Sequence, residues 1–366
     1  MSDSLPAMDF DARLKRLRAG LDDAGSDALV VSSLTNIRYL TGFTGSAGLL
    51  LVLPEGTVLV TDGRYETQAA EQLAGVGARP EIAPAAGQKE LVVSLVSCSG
   101  PARVGLEAAH VSWARQRALA LDWFPGAELV PTEGLVERLR RVKDAGEIAR
   151  LARAAEIADA ALLSVRPLLT SGPTEVTFGQ ALDSEMRRLG ASGPSFETIV
   201  ASGPNAAKPH HRPSGRRIEP DELVVLDFGA VFDGYCSDMT RTVAVRPPAP
   251  SLLDLVDVVA TSQAAGVAAV GPGVACSEVD RACRDVVAAA GWADRFVHGT
   301  GHGVGLDIHE APSVAATSSD TLLPGHVVTV EPGVYLPGVA GARIEDTVVV
   351  TDDGCYPLTI TPKELY

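Results

Sequence analysis

Residues 223–245 read LVVLDFGAVFDGYCSDMTRTVAV, and this stretch decides the fold of the second half of the chain. An apolar, β-branched run carries Asp227 near its end, a turn at 232–234 returns the chain, and a second strand-like run carries Asp238. A hairpin of this kind brings the two carboxylates beside each other across two strands. Because neighbouring carboxylates repel, such a pair needs a proton or a cation.

A second hairpin follows the same pattern. Residues 327–354 read VVTVEPGVYLPGVAGARIEDTVVVTDDG, with Glu331 at the end of one apolar run and Glu345 inside the next. Strand alternation places Arg343 and Glu345 on one face, so both are predicted to point into a polar space. The same alternation leaves Asp346 unexplained.

Three histidines lie between the hairpins, in FVHGTGHGVGLDIHE at residues 296–310: His298, His302 and His309. The interspersed glycines argue against a helix, so neither a zinc-protease helix nor a dinucleotide-binding loop fits. They would instead let the backbone approach a ligand closely. Four carboxylates with at least one imidazole, and no cysteine, favour Mn²⁺ over structural zinc. The four negative charges favour two ions about 3.5–4 Å apart with a bridging water.

Composition excludes several classes of function. The chain has 31 Lys and Arg against 46 Asp and Glu, a net charge of −15, which argues against binding to nucleic acid or to an anionic membrane. No apolar run reaches about 18 residues, and no secretory signal is visible. The five cysteines form no C-x-x-C pair. We therefore expect a cytoplasmic protein with buried thiols.

The length of 366 residues suggests two domains. Helix-like and strand-like segments alternate in the first half, which predicts an α/β layer, whereas the second half groups its strands apart from its helices, which predicts α+β with an antiparallel sheet. The predicted domains are 1–135 and 136–366, and Asp144 is a candidate N-cap for a helix beyond the boundary. The strands predicted for the second half are 196–201, 222–230, 234–245, 326–332 and 342–350.

The ordered motifs D-F-G, D-x-T-R-T, H-G-x-G-H, E-P-G-V-Y and R-I-E-D-T resemble those of the dinuclear metallopeptidases of the pita-bread fold. Within that group the chain resembles the Xaa-Pro peptidases, aminopeptidase P and prolidase. The first half, with TNIRYLTGFTGSAG (35–48) and VTDGRYETQA (60–69), resembles the creatinase-type N-terminal domain. The resemblance implies an α+β pita-bread (creatinase/aminopeptidase) catalytic domain behind a smaller α/β creatinase-type domain, and a homodimer.

The resemblance also implies roles for the acids. Asp227 would bind one ion through both oxygens, and Asp238 and Glu345 would bridge the two ions. His302 and Glu331 would complete the shell of the second ion. Glu331 would also carry a proton from the bridging water to the leaving imino nitrogen.

Further residues match positions that contact the substrate. His210, in SGPNAAKPHHRPS (202–214), matches a histidine that contacts the substrate, although the adjoining His211 leaves the choice within the pair to the alignment. His298 and His309 would hold the substrate carbonyl and the proline end.

The resemblance implies metal-dependent hydrolysis of the Xaa-Pro bond at the N-terminus of small peptides by a metal-bridging hydroxide. The two ions would be Mn²⁺, with Co²⁺ or Zn²⁺ as alternatives, and Arg343 and Tyr335 match residues that orient the metal carboxylates. Aminopeptidase P is favoured over prolidase, which acts on dipeptides only. A prolidase would use a wall or a cation to limit the site beyond proline. The candidate cations are Arg38, Arg212 and Arg241.

Three other interpretations compete on the same residues. A methionine aminopeptidase would lack the N-terminal domain, and a creatinase works without metal, which the full ligand set disfavours. From another class, the chain could be a catalytically inactive peptide-binding scaffold. Relatives of that kind usually lose ligands, and this sequence retains all of them.

Overall fold

The computed structural model describes residues 5–100 and 102–365. It consists of two units that divide between Arg140 and Arg141. The first unit covers residues 8–140, and the second covers 141–365 together with residues 5–7. The division lies at the end of the helix Leu135–Arg141, whereas the sequence places the domain boundary at the beginning of this helix.

A six-stranded mixed sheet forms the centre of the first unit, in the order β4-β3-β2-β1-β5-β6. Its strands are β1 Ala28–Val31, β2 Leu49–Leu53, β3 Gly56–Thr61, β4 Arg79–Ile82, β5 Arg103–Glu107 and β6 Glu128–Thr132. Its helices are α1 Phe10–Ala19, α2 Leu34–Thr41, α3 Glu66–Gln72, α4 Gln88–Ser99, α5 Trp113–Ala118 and α6 Leu135–Arg141. The residues of β1 are all buried, as expected for a central strand. The predicted α/β layer is confirmed.

Antiparallel sheets and four long helices make up the second unit. The helices are α7 Ala145–Val165, α8 Glu175–Arg188, α9 Pro250–Ala269 and α10 Cys276–Ala289. The strands are β7 Gly193–Pro194, β8 Ile199–Ser202, β9 Val224–Phe228, β10 Ala230–Phe232, β11 Tyr235–Cys236, β12 Met239–Val243, β13 Gly301–Gly303, β14 Glu310–Val314, β15 Val327–Val330, β16 Gly333–Leu336, β17 Ala340–Arg343, β18 Asp346–Val350 and β19 Cys355–Pro357. Every strand pair in this unit is antiparallel, which confirms the α+β prediction.

The helix α7 begins where the sequence predicts. The Asp144 carboxylate accepts a hydrogen bond from Glu147 N at 2.9 Å, and the Glu147 carboxylate accepts one from Asp144 N at 3.1 Å. This reciprocal capping box satisfies two backbone donors that a helix start otherwise leaves unpaired. Asp144 is therefore the N-cap.

Three predicted strands are wrong because each is divided between two sheets. Residues 222–230 contain β9 and the first residue of β10, which belong to different sheets. Residues 342–350 form the end of β17, which pairs with β16, and all of β18, which pairs with β15. Residues 234–245 divide into β11 and β12 in the same way. Asp346 begins β18 and is buried against Arg241 at 2.8 Å and Lys363 at 2.5 Å. A buried carboxylate needs such partners, and this accounts for Asp346.

The helix α9 is long and apolar enough to span a membrane by length and composition alone. Its residues Leu255 and Val259 pack in one buried cluster with Val279 of α10. Its opposite face exposes Asp254 and Asp257. This division into an apolar and a charged face is that of a core helix in a globular domain.

The five cysteines are all free. Cys276 and Cys283 are buried, and burial raises the thiol pKa of Cys276 to about 11 and that of Cys283 to about 12. Such thiols are unreactive. Cys236 is also buried and Cys355 is half-buried, but Cys98 is exposed, so the expectation of buried thiols is wrong for Cys98.

Gly229 lies between β9 and β10, two residues after Asp227, where the chain passes close to the backbone of Ser237. A Cβ atom at Gly229 would lie 1.8 Å from the carbonyl oxygen of Ser237, which is backbone and cannot turn away. We predict that Gly229→Ala destabilises the second unit by roughly 1–3 kcal/mol, the usual cost of overpacking. Thermal unfolding should show a midpoint lower by several degrees.

The matched control is Gly354→Ala, because a Cβ at Gly354 would meet no atom within 4 Å. Its midpoint should equal that of the wild type. Equal midpoints for both variants would contradict the close approach at Gly229.

Candidate metal centre

Three carboxylates from two parts of the second unit converge. In the ladder of β9 with β12, Asp227 lies opposite Thr240, and Asp238 immediately precedes β12. Glu345 reaches the same place because its backbone N–H donates to Thr240 O at 3.1 Å and its carboxylate accepts from Thr240 Oγ1 at 2.7 Å. One carboxylate oxygen from each of Asp227, Asp238 and Glu345 lies within 4.8 Å of the other two.

An imidazole and a fourth carboxylate adjoin these three. His302 lies on β13, and its Nε2 is 3.6 Å from Asp238 Oδ2 and 3.4 Å from Glu331 Oε1. Glu331 directly follows β15, and its backbone N–H donates to Thr300 O at 2.8 Å. The structure therefore brings together all five residues that the sequence predicts as ligands.

A cavity of about 500 Å³ opens above this cluster. It is lined by the five clustered residues and by the predicted substrate-contacting and orienting residues His210, His298, His309 and Arg343. Its apolar wall consists of Phe196, Ile199 and Ile308, which the sequence analysis did not identify. Such side chains carry no chemical signal in a sequence, because only the fold brings them to the cavity.

A hydrogen-bond chain fixes one side of the cluster. Arg343 Nη2 lies 2.5 Å from Asp227 Oδ2, and its Nη1 donates to the Tyr335 hydroxyl at 2.8 Å. The Tyr335 hydroxyl lies 2.8 Å from His298 Nε2, and His298 Nδ1 lies 2.7 Å from Gly299 O. Because a carbonyl oxygen only accepts, we assign the proton to Nδ1, and Nε2 then accepts from Tyr335. Both nitrogens of His298 are thus engaged by the protein itself.

Burial makes the cluster unfavourable as a set of free anions. Burial and the charges of the neighbouring carboxylates raise the pKa values of Asp238 and Glu345 well above their usual range. Burial, opposed by Arg343 and reinforced by Asp227, raises the pKa of Glu331 to about 8. Asp238, Glu331 and Glu345 therefore favour their protonated forms more than ordinary carboxyl groups do, unless a cation compensates their charge.

The donor atoms fit a cation. The buried oxygens Asp227 Oδ1 and Glu345 Oε1 have no hydrogen-bond partner among the residues that the structure describes. Burial lowers the pKa of His302 to about 4, so its ring is neutral, and Nδ1 donates to Gly303 O at 3.0 Å. The lone pair on Nε2 then faces carboxylate oxygens. In this buried site, hydrogen-bond acceptors face one another with no donor between them. A divalent ion placed among them would satisfy their lone pairs.

Two glycines of the histidine segment, Gly299 and Gly301, line the cavity. A Cβ at Gly301 would also lie 2.0 Å from Thr329 O on β15. The neighbouring strand therefore requires glycine at this position. The close approach holds His302 beside Glu331 because the two residues lie on or next to the two strands.

The adjacent histidines 210 and 211 have different environments. His211 Nε2 lies 2.9 Å from the buried carboxylate of Glu175, and its side chain is 10% exposed. His210 is exposed in the cavity, and no hydrogen bond to it occurs within residues 5–100 and 102–365. His309 is likewise exposed, with its ring 4.5 Å from that of His302. His210 and His309 are therefore the most exposed of the histidines that line the cavity.

Comparisons with known proteins agree with this geometry. Residues 149–352 match the model of metallopeptidase family M24, and residues 13–142 match that of the creatinase/prolidase N-terminal domain. The chain is 42% identical to "Uncharacterized peptidase YqhT" of Bacillus subtilis over 96% of this chain and 99% of that protein. A structure titled Xaa-Pro dipeptidase from Bacillus anthracis superposes with a TM-score of 0.93 at 39% identity, covering 98% and 99% of the two chains. An X-Pro aminopeptidase from Thermotoga maritima superposes with a TM-score of 0.87 at 32% identity, covering 93% and 97%.

The raised pKa of Glu331 predicts how stability depends on pH when divalent ions are removed. A carboxylate whose pKa is raised in the folded state stabilises the protein at low pH, and this contribution is lost as pH rises through about 8. The chelated protein should therefore melt at a lower temperature at pH 8 than at pH 6.5. Below that window the buried histidines, whose pKa values are lowered to about 4, oppose the effect.

Thermal melting in the presence of a chelator measures this difference. The control variant Glu331→Gln lacks the titrating group and should show a weaker dependence on pH. A chelated wild type that melts at the same or a higher temperature at pH 8 would contradict the prediction.

Proposed function

The chain belongs to metallopeptidase family M24, and on that premise we propose that it hydrolyses the peptide bond between an N-terminal residue and a following proline. The family matches confirm the predicted fold class, a creatinase-type N-terminal domain before a pita-bread catalytic domain. They also confirm that the protein is a hydrolase of the metallopeptidase class. The cytoplasmic location and the homodimer stay predictions.

One observation carries the proposal: the convergence of Asp227, Asp238 and Glu345 within 4.8 Å, with two buried oxygens left without partners. In a peptide-binding scaffold, the repulsion between these carboxylates would destabilise the fold without contributing to any activity. The specificity for proline rests on the similar proteins named Xaa-Pro dipeptidase and X-Pro aminopeptidase.

Family M24 implies divalent metal ions, and we propose that this chain holds two, with Mn²⁺ as the favoured metal. Asp227, Asp238, His302, Glu331 and Glu345 would hold them, because oxygen-rich sets with one nitrogen suit this ion. When bound, such ions make a nucleophile from water at neutral pH and polarise the carbonyl that is attacked.

The side chains of this site would bind the peptide and move the proton. Glu331, whose carboxylate lies 3.4 Å from His302 Nε2 at the wall of the cavity, would take up the proton that the attacking water loses and release it to the imino nitrogen of proline. Arg343 holds Asp227 in place through its 2.5 Å contact. His210 and His309, which face the cavity, are suited to contact the substrate carbonyl and the proline ring.

The arginines that line the cavity indicate a preference for peptides longer than two residues, because neither is both buried and available to bind a substrate carboxylate. Among the described residues that line the cavity, Arg343 and Arg212 are the only arginines or lysines. Arg343 is committed to Asp227 and Tyr335, while Arg212 is 81% exposed and lies 2.7 Å from Glu197. Solvated pairs of this kind are weak. A cavity without a buried free cation selects poorly for the carboxylate of a dipeptide, which supports an aminopeptidase over a prolidase.

The other two candidate cations, Arg241 and Arg38, are not among the residues that line the cavity. Arg241 is buried and donates to Thr361 O and to Asp346 Oδ1. Arg38 belongs to the first unit. Of the three candidate cations, Arg212 is therefore the one that lines the cavity and could bind the carboxylate of a dipeptide.

We predict that Glu331→Gln and Asp238→Asn each abolish hydrolysis while the fold is retained. Loss of a general acid–base group costs roughly 10²–10⁴-fold in kcat, and loss of a metal ligand costs at least as much. The assay is release of the N-terminal residue from an Xaa-Pro-Yaa peptide by the Mn²⁺-loaded protein, with circular dichroism as the control for folding. Near-normal turnover by either variant would contradict the assignment. A wild type that no divalent ion activates would favour the peptide-binding scaffold.

We further predict that Xaa-Pro-Yaa peptides are hydrolysed with a higher kcat/KM than Xaa-Pro dipeptides. Glu197→Gln frees Arg212 and should raise kcat/KM for dipeptides several-fold, while Arg212→Met should leave the longer peptides unaffected. Steady-state kinetics on both substrates measures the ratio. A wild type confined to dipeptides would make the protein a prolidase.

A further inference from the structure

Glu175 is a buried acid outside the cavity. It is the first residue of α8, after the N-cap Thr174, and its exposed fraction is 0%. A glutamate at this position usually faces solvent, where it interacts with the helix dipole. Here the carboxylate instead faces the segment 202–214, which carries His210.

The segment surrounds this carboxylate with hydrogen-bond donors from four residues. Oε1 accepts from Ser202 N and Oγ, both at 2.8 Å, and from Asn205 Nδ2 at 3.0 Å. Oε2 accepts from Ser214 N at 3.0 Å and Oγ at 2.6 Å, and lies 2.9 Å from His211 Nε2. Burial by itself would raise the pKa of Glu175, but the hydrogen bonds outweigh it and lower the pKa to about 2. The carboxylate is therefore ionised, and charge-assisted hydrogen bonds of this kind are the strong ones.

The arrangement distinguishes the two adjacent histidines. Contact with Glu175 holds the largely buried ring of His211 towards α8 at the wall of the cavity, whereas His210 is exposed inside it. The carbonyl of Pro209, next to His210, accepts a hydrogen bond from Arg343 Nη1 at 3.2 Å. The segment is thus fixed by Glu175 on one side and by a residue of the active-site cluster on the other.

We propose that Glu175 is a positioning residue, which fixes the segment 202–214 so that His210 meets the substrate. This role rests on the proposed peptidase function. A displacement of about 1 Å in a group that contacts the reacting carbonyl can reduce the rate about 100-fold. Glu175 itself lines no part of the cavity, so its effect on the reaction passes through the segment 202–214 and His210.

A double-mutant cycle on the Mn²⁺-loaded enzyme tests this role. Glu175→Gln keeps the size of the side chain but removes its charge and places an amide donor against other donors. We expect kcat to fall ~10–100-fold in Glu175→Gln and in His210→Ala, with the bound metal unchanged. In the double variant kcat should equal that of His210→Ala, because once the imidazole is removed Glu175 has no catalytic group left to position. Fold-losses that multiply in the double variant would overturn the proposal.

The matched control is Glu185→Gln on the same helix. The Glu185 carboxylate pairs with Arg188 at 2.7 Å on the surface of α8 and touches no part of the segment. Its kcat should equal that of the wild type. If Glu175→Gln does not fold, Ser214→Ala and Asn205→Ala each remove one side-chain donor to Glu175 outside the cavity, and each should lower kcat several-fold. Wild-type kcat in both would overturn the proposal.

Hydrogen exchange separates this proposal from the peptidase function. In Glu175→Gln the amides of 202–214 should exchange faster, while those of 224–243 should be unchanged. If the wild type cleaves no Xaa-Pro peptide but exchange changes in this way, the peptidase proposal fails and the anchoring of the segment stands. Unchanged exchange over 202–214 would overturn the anchoring itself.

Discussion

The repulsion between buried carboxylates is the constraint on which the second unit depends. Asp227, Asp238 and Glu345 are brought within 4.8 Å of one another by strands that belong to different sheets, and Glu331 adjoins them across His302. No hydrophobic gain explains the placement of four acids at one point, and free anions there would destabilise the fold. The arrangement is stable with protons or with cations. The neutral His302, whose lone pair faces these oxygens, favours cations.

Two kinds of support keep this cluster in place. Arg343 offsets part of the charge and connects Asp227 through Tyr335 to His298, so a single chain of hydrogen bonds crosses from one ligand strand to the histidine segment. Glu175 fixes a further segment from outside the cavity. The proposed ligands are thus held by strand pairing, and the histidine that we propose meets the substrate is held by a buried anion. Each support is rigid because its polar atoms are satisfied.

The sequence could predict the acids but not the geometry between sheets. Asp227 and Glu331 are visible because an acid at the end of a β-branched run is unusual. The break between β17 and β18, just before Asp346, could not be predicted. Alternation along one segment carries no information about which strand pairs with it. Glu175 was missed because a glutamate at a helix start is ordinary until its surroundings are known.

The most direct test is anomalous diffraction from crystals grown with Mn²⁺, recorded at the manganese absorption edge. The account predicts two anomalous peaks about 3.5–4 Å apart, enclosed by the carboxylates of Asp227, Asp238 and Glu345. His302 and Glu331 should contact one of the two peaks. A map without peaks at this cluster, or with manganese bound only elsewhere on the molecule, would contradict the account.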